Sequence, residues 1–288
     1  MTDKEKAAES WELSCHKDGL SVIANGDYAG KTLAEYIEAE GKAVLGKRGE
    51  RLPEFPLLIK LIDAKENLSL QVHPDDEYAH HVEHQQGKTE MWYVVEAEPG
   101  AELCYGFKEK ITKSEVKRRI EDNTLLDICN KVPVKKGDVL FIEPGTLHAI
   151  GAGTFICEVQ QSSNVTYRVY DYGRGRELHI KKALDVLKLN RPKRGTKPLA
   201  EMDFIKGAGI KLLANSKYFR VFHVAMESGS VFKVGDESFQ AVTILKGAAT
   251  LKTQIGAVTV NKGETVFLPA GLGEYSFDSA VEFILSEI

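Results

Sequence analysis

Three short stretches of the chain carry residue types that can bind a divalent metal. In "LSLQVH", Gln71 and His73 are two residues apart, and in "GKTEMWY", Glu90 follows Lys88 by two. His148 ends a third stretch, "EPGTLH", after a Pro-Gly turn. Imidazole nitrogens together with amide and carboxylate oxygens form a donor set that suits zinc, with neighbouring divalent metals also possible. The predicted metal ligands are therefore Gln71, His73, Glu90 and His148.

A denser group of histidines lies between the first two stretches, in "PDDEYAHHVEH". This segment predicts a short helix with Asp75 and Asp76 in its first turn, and His80 and His84 are spaced i, i+4. The H-E-x-x-H signature of zinc proteases is absent, and the surrounding residues are charged and polar. We interpret the group as a solvent-exposed helix face rather than a metal site.

Basic residues follow the third stretch, in "VTYRVYDYGRGR". Strand alternation places Arg168 on the face opposite to its immediate neighbours, and Arg174 lies beyond a turn. An inward-facing arginine is costly to bury unless an anion pairs with it. With Lys88 and Ser69 nearby, a phosphate group would suit this site, and a structural ion pair with a carboxylate is the alternative.

The elements that must position these residues are mostly strands. Alternation and β-branched or aromatic content mark "LLIKLID", "LSLQVH", "EMWYVV", "AELCYGF" and "TFICEVQ" as β-type runs. In "LSLQVH" the polar residues share one face and the apolar residues share the other. The strands of a plain barrel turn their apolar face inward, so a polar inner face would indicate a functional site in the interior. Helices are predicted at about 32–45, 112–130 and 179–189, the first two opened by capping boxes of Thr32 with Glu35 and Thr112 with Glu115.

An internal repeat indicates how these strands are arranged. Residues 134–150, "VKKGDVLFIEPGTLHAI", and 260–277, "VNKGETVFLPAGLGEYSF", share a Lys-Gly-acidic start, a β run and a Pro/Gly turn. The fold class is therefore predicted to be mainly β with helical insertions, built from two related barrels of the jelly-roll type. The second barrel has Leu272, Gly273 and Glu274 where the first has His148, so it is predicted to lack a metal site.

The polar stretch "NRPKRGTKPLAE" is the best domain boundary. It predicts a first domain at 1–190, which holds the candidate site, a linker and lead-in at 191–217, and a second barrel at 218–288.

Composition and charge exclude several classes of partner. Lys and Arg number 38 against 42 Asp and Glu, the net charge is −4, and there is no basic run with interleaved aromatics, so we expect no nucleic acid. No apolar run approaches membrane-spanning length, so we expect no membrane association. The 4 cysteines lie far apart without a C-x-x-C pair, which favours reduced thiols and the cytoplasm. We expect a monomer or a weak homodimer.

The motifs "LSLQVHPDDEYA", "GKTEMWY", "EPGTLHAIGAG" and "QQSSNVTYRVYDYGR" resemble those of type I mannose-6-phosphate isomerases in their short prokaryotic form. The resemblance runs from about "ESWELS" to the C-terminus. It implies a cupin fold with a helical insert, and one zinc ion per chain held by Gln71, His73, Glu90 and His148. It also implies Arg168 as the catalytic arginine, with Ser69, Lys88 and Arg174 near the substrate. In longer family members the position of Arg174 is a lysine.

The activity that this resemblance implies is an aldose-ketose isomerase that interconverts mannose 6-phosphate and fructose 6-phosphate through an enediol. Two alternatives stay open: a non-catalytic cupin that binds sugar phosphates as a sensor, and another cupin enzyme such as an iron oxygenase. Family members usually begin with a strand carrying Trp-Gly-Gly, whereas this chain reaches Trp11 almost at once, which is the only support for a sensor. The proton-transferring base is left open between a zinc-bound water and an unplaced carboxylate.

Overall fold

The computed structural model describes residues 8–193, 197–198, 201–202 and 209–288, so parts of the predicted linker at 191–217 lie outside the described residues. Within those ranges the structure is mainly β with few helices. The helices are α1 (Leu33–Glu40), α2 (Gly46–Gly49), α3 (Asp76–Val82), α4 (Lys113–Glu121) and α5 (Ile180–Val186), with 3-10 turns at Lys42–Leu45 and Leu125–Ile128. None of these helices has the length and apolar character needed to cross a membrane.

The strands run through the whole described chain. They are β1 (Glu9–Leu13), β2 (Cys15–His16), β3 (Gly19–Leu20), β4 (Leu57–Ala64), β5 (Leu70–Val72), β6 (Glu90–Ala97), β7 (Glu102–Phe107), β8 (Cys129–Pro133), β9 (Asp138–Ile142), β10 (His148–Ala149), β11 (Thr154–Gln161), β12 (Tyr167–Tyr170), β13 (Lys197–Pro198), β14 (Ile210–Asn215), β15 (Arg220–Met226), β16 (Val231–Val234), β17 (Gln240–Lys246), β18 (Ala248–Thr253), β19 (Gly256–Asn261), β20 (Thr265–Leu268), β21 (Gly273–Phe277) and β22 (Val281–Glu287).

The described residues group into two compact units, whose boundaries fall inside β1 and β4. The first unit takes the described residues within 1–10 and 62–198, and the second takes those within 11–61 and 199–288. The grouping of 11–61 with the C-terminal strands has a local cause in backbone hydrogen bonds. Lys47 N donates to Asp236 O at 3.0 Å, and Ala270 N donates to Val44 O at 2.9 Å. The predicted domains differ from these units, because they place residues 11–61 in the first domain. The domain bounds 1–190 and 218–288 describe the two expected barrels and stay a prediction.

In the first unit, two sheets contribute to one apolar core. One includes β11, β6, β9 and β13 in that order, and the other holds β12, β5, β10, β7 and β8. The cluster that they share includes Trp92, Leu140 and Tyr105. This arrangement sets the short strand β5 beside β10 and β12, and it is β5 that carries Gln71.

Both faces of β5 are covered by protein. Leu70 and Val72, which alternate with Gln71, belong to a second apolar cluster that includes Val116 of α4 and Ala183 of α5. Helices α4 and α5 therefore cover the apolar face of β5, and this leaves the polar face to the interior between the sheets. The inverted alternation of "LSLQVH" has its explanation in this two-sided burial.

In the second unit, β14, β15, β22, β17 and β20 form one sheet in that order, and β16, β21, β18 and β19 form another. Both sheets are antiparallel and contribute to an apolar cluster that includes Val242, Leu251 and Phe283. Two antiparallel sheets on a shared apolar core are typical of β-sandwich and jelly-roll proteins.

The predicted helices are present but shorter. α1 has the complete capping box of Thr32 and Glu35. It ends at Glu40, because the φ of 84° at Gly41 is incompatible with a right-handed helix. Thr112 caps α4 through Glu115 N, but the Glu115 carboxylate binds Arg118 and Arg119 instead of closing the box. The second predicted helix ends at Glu121, two residues before Asn123 with its φ of 59°, and its last predicted residues, from Cys129, belong to β8.

Candidate metal centre

Strands β10, β5 and β12 place three of the predicted site residues in one row across a sheet. Gln71 of β5 lies opposite His148 of β10 on one side and opposite Arg168 of β12 on the other. Directly opposed residues of antiparallel strands project from the same face. Gln71, His148 and Arg168 therefore share one face, which is opposite to the apolar cluster that includes Val116 and Ala183.

The turn before β10 brings His148 to this row. Gly145 adopts φ of 83°, and its N–H donates to His73 O at 2.8 Å. A Cβ on Gly145 would lie 2.6 Å from Val186 O, so only glycine fits this turn. The "PG-x-x-H" spacing therefore fixes His148 against the end of the β5 segment that carries His73.

His73, Glu90 and His148 converge in the interior, with ligand atoms that all lie within 4.8 Å of one another. The Nε2 atoms of the two histidines are 3.1 Å apart. Glu90 approaches them with Oε1, 3.2 Å from His73 Nε2, and with Oε2, 3.7 Å from His148 Nε2. All three side chains are fully buried.

Lys88 adds a positive charge to this group. Its Nζ contacts Glu90 Oε1 and lies 3.1 Å from His73 Nε2. Burial alone would lower the pKa of Lys88, but the carboxylates of Glu90 and Glu158 outweigh it, so the pKa is raised. Burial alone would likewise raise the pKa of Glu90, but Lys88 and His73 hold it well below its usual range.

The histidines are held neutral by their surroundings. Burial first, and Lys88 second, lower the pKa of His73 to about 3. Burial also lowers the pKa of His148. A neutral imidazole is the form that binds a metal, so both rings are in the required protonation state.

The donor set fits a divalent metal ion. Two imidazole nitrogens and a carboxylate meet at one point, with the amide of Gln71 on the same face. Glu90 Oε2 is buried and has no hydrogen-bond partner within the described part of the chain. A buried carboxylate oxygen without a donor carries a penalty that a bound cation removes.

The predicted substrate residues divide into two groups. Arg168 is half-buried, its Nε donates to Ser69 Oγ at 3.2 Å, and one terminal nitrogen donates to Glu177 O at 3.2 Å. Burial, with Arg176 next, lowers the pKa of Arg168. Arg174 instead lies in an exposed loop, where it binds Glu66 Oε2 at 3.0 Å and Asn67 O at 2.9 Å. The structure thus joins Arg168 to Ser69 and gives Arg174 a carboxylate partner.

The histidine-rich segment is exposed, as the sequence indicates. His80, His81 and His84 are all solvent-exposed. Helix α3 ends at Val82, and His84 has a φ of 54°, so His80 and His84 do not share a helix face. His80 Nε2 lies 3.1 Å from Gln86 Oε1.

Sequence reasoning does not single out Glu158 and Gln160, which also lie in this interior. On β11 they are opposite Trp92 and Glu90. Both are buried, and Trp92 Nε1 donates to Glu158 Oε2 at 2.6 Å. The available signal is the pair of polar residues two apart in the apolar run "TFICEVQQ", the same spacing that marks Gln71 and His73.

A hydrogen-bond network holds the segment that carries Lys88 and Glu90. Asp76 Oδ1 accepts from Gly87 N at 3.0 Å and from Gln161 Nε2 at 2.9 Å. Gln161 Oε1 in turn accepts from Thr89 N at 2.9 Å. A Cβ on Gly87 would lie 2.5 Å from Asp76 N, which requires glycine at this close approach.

Comparison with known proteins places this geometry in a family. The model of the phosphomannose isomerase type I catalytic domain matches residues 1–128, and that of the mannose-6-phosphate isomerase cupin domain matches residues 209–288. A mannose-6-phosphate isomerase from Streptococcus mutans serotype c is 38% identical over 98% of this chain and 89% of its own length. The mannose-6-phosphate isomerase ManA of Bacillus subtilis is 35% identical over 99% of this chain and 90% of its own length.

A solved structure agrees with these relatives. The crystal structure of the mannose 6-phosphate isomerase from Bacillus subtilis superposes with a TM-score of 0.89 at 33% identity, covering 99% of this chain and 91% of that one. A putative mannosephosphate isomerase from Archaeoglobus fulgidus shares the fold, with a TM-score of 0.78 at 22% identity. With matches of this identity along nearly its whole length, the chain belongs to the type I phosphomannose isomerase family.

Proposed function

We propose that this chain is a zinc-dependent aldose-ketose isomerase that interconverts mannose 6-phosphate and fructose 6-phosphate through an enediol. The observation that carries the proposal is the buried convergence of His73, Glu90 and His148 in a chain of this family. Relatives that match it over nearly its full length bear the name mannose-6-phosphate isomerase.

We assign one zinc ion per chain to Gln71, His73, Glu90 and His148. Nitrogen and oxygen donors around a borderline-soft ion favour zinc over calcium or magnesium. When bound, the ion supplies a Lewis acid that polarises a sugar oxygen and stabilises negative charge. The single carboxylate leaves the centre with a net positive charge, which favours an anionic substrate.

Arg168 is the proposed catalytic arginine. Ser69 Oγ and Glu177 O hold its guanidinium at the edge of the row that contains Gln71 and His148. From there it can donate to the oxygens that gain charge as the enediolate forms. Ser69 and Lys88 are proposed substrate contacts, and Arg174 is a third, which must exchange its Glu66 partner for the substrate phosphate.

The isomerisation also moves a proton between C1 and C2 of the sugar. Glu90 and the two histidines are assigned to the ion, so the base must be another group. Glu158 is a buried carboxylate on the same inner face, oriented by the indole of Trp92. We propose Glu158 for this role.

The finer architecture is part of the same proposal. Each unit would contain a cupin-type jelly-roll barrel, the first within 1–190 and the second, without a metal site, within 218–288. A cytoplasmic location accords with the four cysteines, which are all free thiols. We also propose that the chain is a monomer or a weak homodimer.

Metal quantification paired with a coupled mannose 6-phosphate assay tests the proposal. We expect one zinc per chain, turnover of mannose 6-phosphate, and loss of both after chelation. Tight sugar-phosphate binding without turnover by zinc-loaded protein would instead indicate the sensor. Bound iron with oxygen uptake would indicate another cupin enzyme.

A further inference from the structure

Gln160 lies directly opposite Glu90, on the neighbouring strands β11 and β6. Because opposed residues of an antiparallel pair project from one face, the Gln160 side chain shares the inner face with Glu90. Gln160 is as deeply buried as Glu90, with an exposed fraction of 0% for each. No predicted or proposed role uses it.

The amide of Gln160 has one determined orientation. Its Nε2 donates to Gln161 O at 2.8 Å and to Ser163 O at 2.7 Å. Both partners are carbonyl oxygens, which only accept, so a flipped amide would lose both bonds and bring three oxygens together. Nε2 therefore uses both of its hydrogens on the 161–163 turn, and Oε1 points away from that turn.

Gln160 Oε1 is a buried acceptor that no donor reaches among the residues that the structure describes. Glu90 Oε2, on the opposed residue, is in the same condition. Folded proteins rarely leave such atoms unpaired in their interior, because a buried acceptor has lost its water and gained nothing. The proposed ion accounts for Glu90 Oε2, whereas nothing in the proposed ligand set accounts for Gln160 Oε1.

We propose that Gln160 is a substrate-binding residue whose Oε1 accepts a hydrogen bond from a hydroxyl group of the sugar phosphate. The proposal rests on the proposed function for its substrate class. A hydroxyl group fits because it donates one hydrogen bond without bringing a charge into the interior. A fully ionised phosphate group has no hydrogen to donate to an amide oxygen.

This assignment gives the substrate a direction. The hydroxyl-bearing carbons lie toward Gln160 and Glu90, while the phosphate lies toward Arg174, its proposed contact. A site with an acceptor at a fixed position distinguishes sugars by whether a hydroxyl group can reach it. Gln160 is thus a specificity residue as well as a binding residue.

The test combines a substitution with substrates that lack one hydroxyl. Gln160→Met keeps the side-chain length and removes both amide atoms, and kcat/KM is measured on mannose 6-phosphate and its 3-deoxy and 4-deoxy analogues. We expect wild-type protein to lose about 10- to 100-fold on one analogue. The Met variant should lose a similar factor on the full substrate and no further factor on that analogue, because the two changes remove the same bond. Additive losses on both analogues, or full activity of the Met variant, would overturn the proposal.

A second variant separates the acceptor from the nitrogen that holds the turn. Gln160→Glu keeps an acceptor and loses the two bonds to the turn, so it should still discriminate against the same analogue. Loss of that discrimination would overturn the proposal even where the Met variant does not fold. Calorimetric binding of mannitol 6-phosphate and its deoxy forms supplies a readout without turnover. Absence of turnover in wild-type protein would refute the isomerase, while the binding pattern would still decide the role of Gln160.

Discussion

His73 and His148 face each other through Nε2 atoms 3.1 Å apart, while the Nδ1 of each donates to a backbone carbonyl. The acceptors are Val165 O, at 2.7 Å, and Thr146 O, at 2.8 Å. Since a carbonyl oxygen only accepts, each Nδ1 carries the ring hydrogen and each neutral Nε2 presents a lone pair. Two lone pairs aimed at one point repel unless a cation lies near them; Lys88 Nζ lies 3.1 Å from His73 Nε2, and a bound ion would satisfy both rings. The backbone thus orients both rings for an ion before it binds.

Removing one of these rings should abolish metal binding. We expect His148→Ala to lose its zinc and to show a kcat/KM lower by on the order of 100-fold or more. Mutating a residue that only hydrogen-bonds to a metal ligand already lowers metal affinity or activity about 10- to 100-fold. Metal content by mass spectrometry and the coupled assay measure both effects. His80→Ala is the matched control, since His80 is exposed on α3, and it should behave as wild type. Retention of zinc and activity by His148→Ala would exclude the proposed centre.

Arg168 offers a test of geometry at constant charge. Arg168→Lys keeps the positive charge. A lysine ammonium lacks the planar guanidinium with several fixed N–H groups, so it cannot donate to Ser69 Oγ and Glu177 O in the same geometry. We expect kcat to fall about 100-fold, roughly 3 kcal/mol of transition-state stabilisation, with a smaller change in KM. Steady-state kinetics measure it, with Arg118→Lys on the exposed face of α4 as the control. A rise in KM at constant kcat would instead show that Arg168 only binds substrate.

Much of the site follows from alternation that is visible in the sequence. Gln71 and His73 share a face, Glu90 lies near them, and the "PG-x-x-H" turn delivers His148, because the two-residue period of a strand leaves few choices. The same period marks Glu158 and Gln160 in "TFICEVQQ", but pairing between distant strands has no local signal, so their positions opposite Trp92 and Glu90 require the structure.

Competition for side chains explains other differences from the sequence prediction. Glu115 satisfies the spacing of a capping box, but two arginines one turn away bind its carboxylate. Arg174 meets Glu66, a partner from more than a hundred residues earlier that no local pattern indicates.

The depressed pKa of His73 predicts how the metal-free protein responds to acid. Between pH 6.5 and about 3 the unfolded chain binds a proton at His73 that the folded chain excludes, so stability is fully present above 6.5 and falls as the pH falls through this window. This group alone contributes a slope of roughly 1.4 kcal/mol of unfolding free energy per pH unit. Urea unfolding of chelator-treated protein at pH 7, 6 and 5 measures it. His73→Asn should show a slope smaller by about one proton, and equal slopes would contradict the shift.

Asp76 should support activity without contacting substrate. Asp76→Ala removes the acceptor for Gly87 N and Gln161 Nε2, so we expect about 1–3 kcal/mol lower unfolding free energy and a lower kcat as Lys88 and Glu90 lose their position. Asp76→Asn keeps one acceptor oxygen and should recover most of both. Denaturant melts and kinetics compare the two variants. Equal losses in Ala and Asn would show that the charge of Asp76, rather than its hydrogen bonds, is what matters.

The separation of His73 and His148 by 75 positions along the chain also determines when the centre can exist during folding. That interval contains β6, β7, α4, β8 and β9, and closing so long a loop is an entropic cost that local contacts do not repay. The two rings meet only after β10 has paired with β5, so the nascent chain has no high-affinity place for an ion. We therefore expect metal uptake to be a late event, and the rate at which refolding protein takes zinc from a chromogenic chelator should report the completion of the first unit.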